Sequence, residues 1–231
     1  MTDTLLSSRH LDQLAQLAVD ADDRAIWPQA SWETLVETGA TRWCIPKSYG
    51  GDELDYPTTL EGYAELASGC LTTCFLLSQR DAACRRRRDV PNRERAQELL
   101  PFLAKGQIFA TVGIAQLTTS RQHGKPAMTA TPEGEDYLLN GVMPWVTGAP
   151  QADYFVTGGT LDDQRQILAV IPSSTRGLSV DPPMELMAIQ GSLTTSVHCE
   201  NVRVTPDQIL AGPVEKVISK VRSGGPGGLE T

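Results

Sequence analysis

The chain predicts an α+β fold, an N-terminal all-α helical domain followed by a β-barrel or sandwich domain. Three observations carry this expectation. Apolar residues recur at helical spacing from the start to Ala104, then the period changes after Gly106. Beyond that point short β-branched and aromatic runs follow one another. Gly, Pro, Asn and Asp separate those runs throughout, as turns between strands require. The boundaries expected are 1–106 for the helical domain and 107–212 for the β-domain. Residues 213–231 would start a further helical region or form a flexible tail.

Taken in order, Leu11, Leu14, Ala15, Ala18, Ala21 and Ala25 lie on one helical face, with Ser7 or Ser8 as the cap. Ser31 is expected to cap a short helix carrying Trp32, Leu35 and Val36, which Gly39 ends. Asp55 to Ser78 reads as one helix whose core stripe is Leu60, Tyr63, Ala64, Ala67, Leu71, Cys74 and Leu77. Asn92 is expected to cap the next helix, Arg93 to Ala104, which Pro101 should kink near its end. Strands are then expected at 108–115, 127–131, 135–139, 142–147, 153–159, 166–172 and 195–204. Ser223-Gly224-Gly225-Pro226-Gly227-Gly228 breaks any helix begun by 213–221.

Composition excludes several function classes. A hydrophobic content of 40% and a mean hydropathy of −0.22 fit a water-soluble globular chain. No apolar run approaches the roughly 18 residues of a membrane span, and the N-terminus lacks the basic and apolar regions of a signal peptide. A net charge of −8 argues against nucleic acid, whose phosphates require concentrated positive charge. The basic run Arg85 to Arg88 reads first as a solvated helix end and second as an attractor for a phosphorylated ligand. The five cysteines include no CxxC and fit small buried residues in a reducing cytoplasm rather than a metal or redox site. No metal ligand set is assigned.

The most specific stretch runs from Asp136 to Ala149. Two apolar runs flank Asn140-Gly141, the pair best suited to a type I′ hairpin turn. The second strand would bring the Trp145 indole, Val146 and the Thr147 hydroxyl to one point, a wall suited to a planar heteroaromatic ligand. A hairpin with a buried Trp is the plainer reading of the same residues. This segment resembles the flavin-contacting "NGxKxWIT" run of the acyl-CoA dehydrogenase family. Ile45-Pro46-Lys47-Ser48-Tyr49-Gly50-Gly51 resembles that family's "P-E-x-Y-G-G", and Leu99 to Gly106 its "L-P-x-L-A-x-G". Glu200-Asn201-Val202-Arg203-Val204-Thr205-Pro206 with Ile209 to Gly212 resembles "D-D-V-R-V-P … L-L-G". The four segments keep the family's order from Arg42 to Gly212.

The resemblance implies an FAD-binding oxidoreductase that desaturates an acyl-CoA, with hydride passing to flavin N5. By it, Thr147 would bond N5 and Trp145 would cover one face of the ring, with Val146 between them. The loop Ala115, Gln116, Leu117, Thr118, Thr119 and Ser120 would present backbone N–H groups to the flavin pyrimidine edge. Ser120 and Arg121 would lie on the substrate side. This loop stands where the family has "T-E-P-G-x-G-S-D", so the hydroxyl aimed at flavin would come from Thr118, Thr119 or Ser120. Gln190 to Thr195 sits where the family has "G-x-R-G-S-x-T", with no arginine.

The family's catalytic glutamate belongs to a third, helical domain that would begin near Thr231. A truncated or split chain is therefore expected, with no catalytic residue assigned to it. The expected partners are an acyl-CoA or similar small molecule and either further copies of the chain or a complementary C-terminal helical chain. His10, His123 and His198 make no catalytic case. A flavin-dependent monooxygenase of the same fold and a non-catalytic degenerate binding module are the alternatives.

Overall fold

The computed structural model describes residues 4–88, 98–118 and 126–220. Helices come first: α1 (Ser8–Arg24), α2 (Gln29–Thr38), α3 (Tyr56–Gly69), α4 (Leu71–Arg88) and α5 (Leu100–Ala104). Ser7 caps α1 by accepting from the His10 N–H, and Leu14 and Ala21 of the expected stripe are buried. α2 starts earlier than expected, with Pro28 at its N-cap. Ser31 is buried inside the helix instead of capping it.

The single helix expected from Asp55 to Ser78 is two helices. Asp55 caps the first through the Thr58 N–H, but Cys70 adopts an extended backbone and ends it. The Cys70 carbonyl then accepts from the Cys74 N–H, and its sulfur accepts from the Thr73 hydroxyl, which starts α4 afresh. Because both helices carry apolar faces, the stripe reads straight across the break. Three of its members, Leu60, Ala64 and Leu71, are in fact exposed, while Gly62, Leu66 and Leu76 are buried. Pro101 lies in the first turn of the short α5, where its missing N–H is harmless, and not at a kink near a helix end. The expected Asn92 cap and the Gly-rich tail fall outside the described residues.

The strands are β1 (Ala110–Gly113), β2 (Met128–Glu133), β3 (Asp136–Val146), β4 (Tyr154–Thr160), β5 (Gln166–Pro172), β6 (Leu178–Val180), β7 (Thr195–Val204) and β8 (Ile209–Val214). Short helices α6 (Ala115–Thr118) and α7 (Val217–Lys220) follow β1 and β8. One sheet joins them in the order β6-β7-β3-β2-β4-β5-β8, with β1 parallel to β4. Among the described residues, its two halves pair as strands where Thr129 meets Thr160. Side chains of both halves enter one apolar cluster, as in a sandwich.

The Asn140-Gly141 turn is the main sequence expectation that fails. β3 runs unbroken through both residues, and the hairpin to β2 turns instead at Gly134-Glu135, between the paired Glu133 and Asp136. Asn140-Gly141 marks a bulge against β7, where the register shifts between Leu139 and Gly141. The Asn140 side chain bonds Asn201 twice, donating to its Oδ1 at 3.2 Å and accepting from its backbone N–H at 2.8 Å. Gly141 has φ +136°, and a Cβ there would stand 2.1 Å from the Ala127 carbonyl oxygen.

Helices and strands share their cores. One cluster mixes Leu14, Trp32, Leu66 and Leu76 with Leu139, Phe155, Ile167 and Val197. A second gathers Ile45, Ala83, Leu100 and Leu103 against Val112, Val156 and Leu168. Each such side chain contributes about 1.5–3 kcal/mol by leaving water. Between helices and sheet, the Phe109 ring meets Trp27 and Trp32 edge-on, each at 5.2 Å between centroids.

Candidate functional site

The end of β3 is where the sequence placed its best residues. Trp145 breaks the strand with φ +55° and leaves its indole 64% exposed. Val146 turns its side chain fully into the core, so that side chain cannot contact a ligand at the surface. Thr147 is buried to 2% exposure. Its carbonyl accepts from the Thr111 hydroxyl at 2.8 Å, which ties the strand end to β1.

Sequence reasoning gave no role to two residues that the fold brings to Thr147. Thr194 Oγ1 lies 3.3 Å from Thr147 Oγ1, and Ser192 Oγ lies 2.8 Å from Thr194 Oγ1. The Ser192 carbonyl also accepts from the Gly148 N–H at 2.8 Å. Their signal was present in the hydroxyls of Gln190 to Thr195, but only the pairing of Val146 with Thr195 brings that stretch beside β3. Three hydroxyls joined in a row hold three protons and make two hydrogen bonds among themselves. One proton of the row is therefore left for an acceptor outside it.

The loop after β1 is built more firmly than its polar sequence suggests. Ala115 to Thr118 form one helical turn, α6. The Leu117 side chain is buried in the second core cluster, and its N–H already bonds the Ile114 carbonyl. Gln116 turns inward, donating to the Gly113 and Gly158 carbonyls and the Thr157 hydroxyl, while its buried Oε1 has no partner among the described residues. The Thr118 hydroxyl donates to the Ala115 carbonyl. Thr119, Ser120, Arg121 and His123 lie outside the described residues. His198 is an exposed partner of Asp181 at 2.8 Å, and His10 bonds Ser7.

Away from this edge, α4 buries an ion pair that composition did not reveal. Arg80 and Asp81 are 0% and 1% exposed, with Nη1 to Oδ1 at 2.7 Å. Tyr63 donates to Asp81 Oδ2 at 2.7 Å, and Arg80 Nη2 donates to the Leu103 carbonyl at 2.5 Å. Burial alone would lower the Arg80 pKa, but Cys84, Asp81 and Cys44 around it outweigh that and hold it charged. The thiols of Cys44 and Cys84 lie within 4.8 Å of the Asp81 carboxylate. The Cys44 thiol is held well above its ordinary range by its hydrogen bond to Cys84 and by burial. All five cysteines are buried, and none is in a disulfide among the described residues.

A helical N-terminal half sharing its core with a folded β-sheet defines a class, the fold of the acyl-CoA dehydrogenase-like flavoproteins. Residues 10–107 match the acyl-CoA dehydrogenase N-terminal domain. The chain is similar to proteins of the acyl-CoA dehydrogenase family over most of its length. The mitochondrial short-chain specific acyl-CoA dehydrogenase of Homo sapiens is 24% identical over 206 residues, which are 87% of this chain and 50% of that protein. A probable acyl-CoA dehydrogenase of Bacillus subtilis (strain 168) is 27% identical over 214 residues, 88% of this chain and 55% of the relative. The crystal structure of an FAD-dependent dehydrogenase matches with a TM-score of 0.75 at 24% identity, covering 95% of this chain and 61% of that one. The chain thus spans about half the length of the curated relatives it matches. Among the described residues no helix is long and apolar enough to cross a membrane.

Proposed function

We propose that this chain forms the flavin-facing part of an acyl-CoA dehydrogenase-like oxidoreductase, with FAD as cofactor and an acyl-CoA as substrate. The observation that carries the reading is the exposed Trp145 indole beside Thr147, whose hydroxyl row has one proton to give. A flat apolar wall next to a buried donor fits the edge and face of a flavin ring. When bound, the flavin supplies the two-electron redox chemistry of α,β-dehydrogenation.

In this reading the chain's own residues bind and orient. Trp145 would cover a ring face, Thr147 would donate to N5, and α6 with Gln116 would hold residues 115–118 beside the pyrimidine edge, with Thr119 and Ser120 assigned to the same loop. Ser120 and Arg121 are assigned to the substrate side. Loss of the acyl α-proton needs a carboxylate above that carbon. Relatives about twice this length leave room for one beyond the matched residues. The whole assembly is then a homo-oligomer or a complex with a helical partner, in the cytoplasm.

The test is to purify the protein with FAD present and record its visible spectrum after gel filtration. Bound flavin near one per chain, lost in Thr147→Val and weakened about tenfold in Trp145→Ala, supports the reading. A colourless protein, with and without a helical partner chain, overturns it.

A further inference from the structure

We infer that Asp22, on the last turn of α1, is a positioning residue that holds Thr147 with its hydroxyl proton turned outward. This rests on the flavin reading of Thr147. The Asp22 carboxylate accepts three hydrogen bonds from two distant parts of the chain. Its Oδ2 takes the Ile189 N–H at 2.9 Å, and its Oδ1 takes the Gly191 N–H at 3.1 Å and the Thr72 hydroxyl at 3.0 Å. The segment it grips is a short 3-10 turn, Gln190–Ser192, flanked by Ile189 and Leu193 at φ +54° and +47°. Both are branched residues in the left-handed region, a backbone that persists only where its surroundings dictate it. Gly191 adds the reason for close docking, since a Cβ there would stand 3.1 Å from that of Ala21. α1 and α4 together therefore fix the turn.

The turn in turn fixes the site by two routes. Through the main chain, the Ser192 carbonyl holds the Gly148 N–H. Gly148 itself is wedged against Phe109 and Leu76, with no room for a side chain. Through side chains, Ser192 Oγ, Thr194 Oγ1 and Thr147 Oγ1 form the row already described. Ser192 and Thr147 are both nearly sealed, at 0% and 2% exposure, so an acceptor on a ligand beside Trp145 is what would give the row its direction. A spare proton left on Ser192 would then be an orphaned buried donor. The favoured order with that ligand is Ser192 donating to Thr194, and Thr194 donating to Thr147. Thr147 then keeps its own proton for the ligand beside Trp145. Thr194 is the middle link, and it accepts no substitute lacking a hydroxyl.

The first test needs no cofactor. In flavin-free protein, Asp22→Asn should speed amide hydrogen exchange at Ile189, Gly191 and Gly148 about tenfold, with β4 and β5 unchanged. A Gly148 rate equal to wild type would overturn the coupling. An equal acceleration across the whole chain would also overturn it, in favour of a general stabilising role. The second test uses protein loaded with FAD. Thr194→Val should shift the flavin visible band and reduction potential, and Thr194→Ser should restore both. A spectrum and potential unmoved by Thr194→Val would overturn the donor order. Wild-type protein that stays colourless would overturn the flavin reading instead, and the exchange result would still decide whether Asp22 clamps the turn.

Discussion

Asp81 is a carboxylate with almost no access to water, and its partners explain why the fold tolerates it. Arg80 neutralises it, and Tyr63 fills its second oxygen. Breaking such a pair leaves a charge with neither water nor counterion, which costs about 3–5 kcal/mol. Asp81→Asn should lower the unfolding free energy from urea titration by that amount, while Tyr63→Phe, which orphans one oxygen, should cost about 1–3 kcal/mol. Equal midpoints for Asp81→Asn and wild type would show that the pair is solvated after all. The buried thiols set a second residue-level expectation. Burial raises Cys199 to about 12 and, with Cys70 and Asp81 adding to it, Cys74 to about 11. Unfolded thiols titrate at about 8.5, so the folded state holds these protons where the unfolded chain releases them. Their contribution is complete below that value and drains away as pH rises toward 11 and 12. Stability measured from pH 8 to 10.5 should therefore fall, and Cys199→Ala should reduce the slope. Native protein at pH 8 should also resist alkylation until denaturant is added.

At the scale of elements, β3 decides the site, because one strand carries both the bulge at Gly141 and the break at Trp145. Gly141→Ala would force a Cβ against the Ala127 carbonyl at a φ that suits glycine alone, and should cost about 2 kcal/mol or more. Gly134→Ala, in open space at φ +64°, should cost only about 1–2 kcal/mol. A thermal melt of both variants separates packing from backbone strain, and equal losses would remove Gly141 from its proposed place in the bulge. The same strand shows what sequence can and cannot convey. Apolar alternation marked the runs on either side of Asn140-Gly141, and Gly39 and Asp55 marked helix ends that the structure keeps. Asn-Gly favours positive φ, but a bulge uses that as readily as a turn, and only the cross-strand bonds to Asn201 choose between them. Trp145 and Thr147 were legible as a local pattern. Thr194, Ser192 and Asp22 were not, because their meeting depends on contacts between residues 47 to 169 positions apart. Arg80 and Asp81 are neighbours in sequence, but their burial was hidden because it depends on Tyr63 and Leu103 from other helices.

For the molecule as a whole, the shared cores mean that the helical and strand halves are not independent cargo on a linker. Phe109 is the clearest hinge between them: its ring touches Trp27 and Trp32, its N–H donates to the Asp153 carboxylate, and its edge supports Gly148 behind Thr147. Removing that ring should open a cavity bordering both halves and cost about 3–5 kcal/mol. Two consequences separate this from a local defect. Tryptophan fluorescence reports mainly on the helices through Trp27, Trp32 and Trp43, whereas far-ultraviolet circular dichroism sums helices and sheet. In a single cooperative unit the two unfolding curves coincide for wild type and for Phe109→Ala, both shifted together in the variant. Separate transitions would mean that each half folds on its own and that the interface is a docking contact. The support of Gly148 adds a functional arm: Phe109→Ala should weaken flavin binding well below its unfolding midpoint, because the floor beneath Thr147 is gone while the exposed indole of Trp145 is untouched.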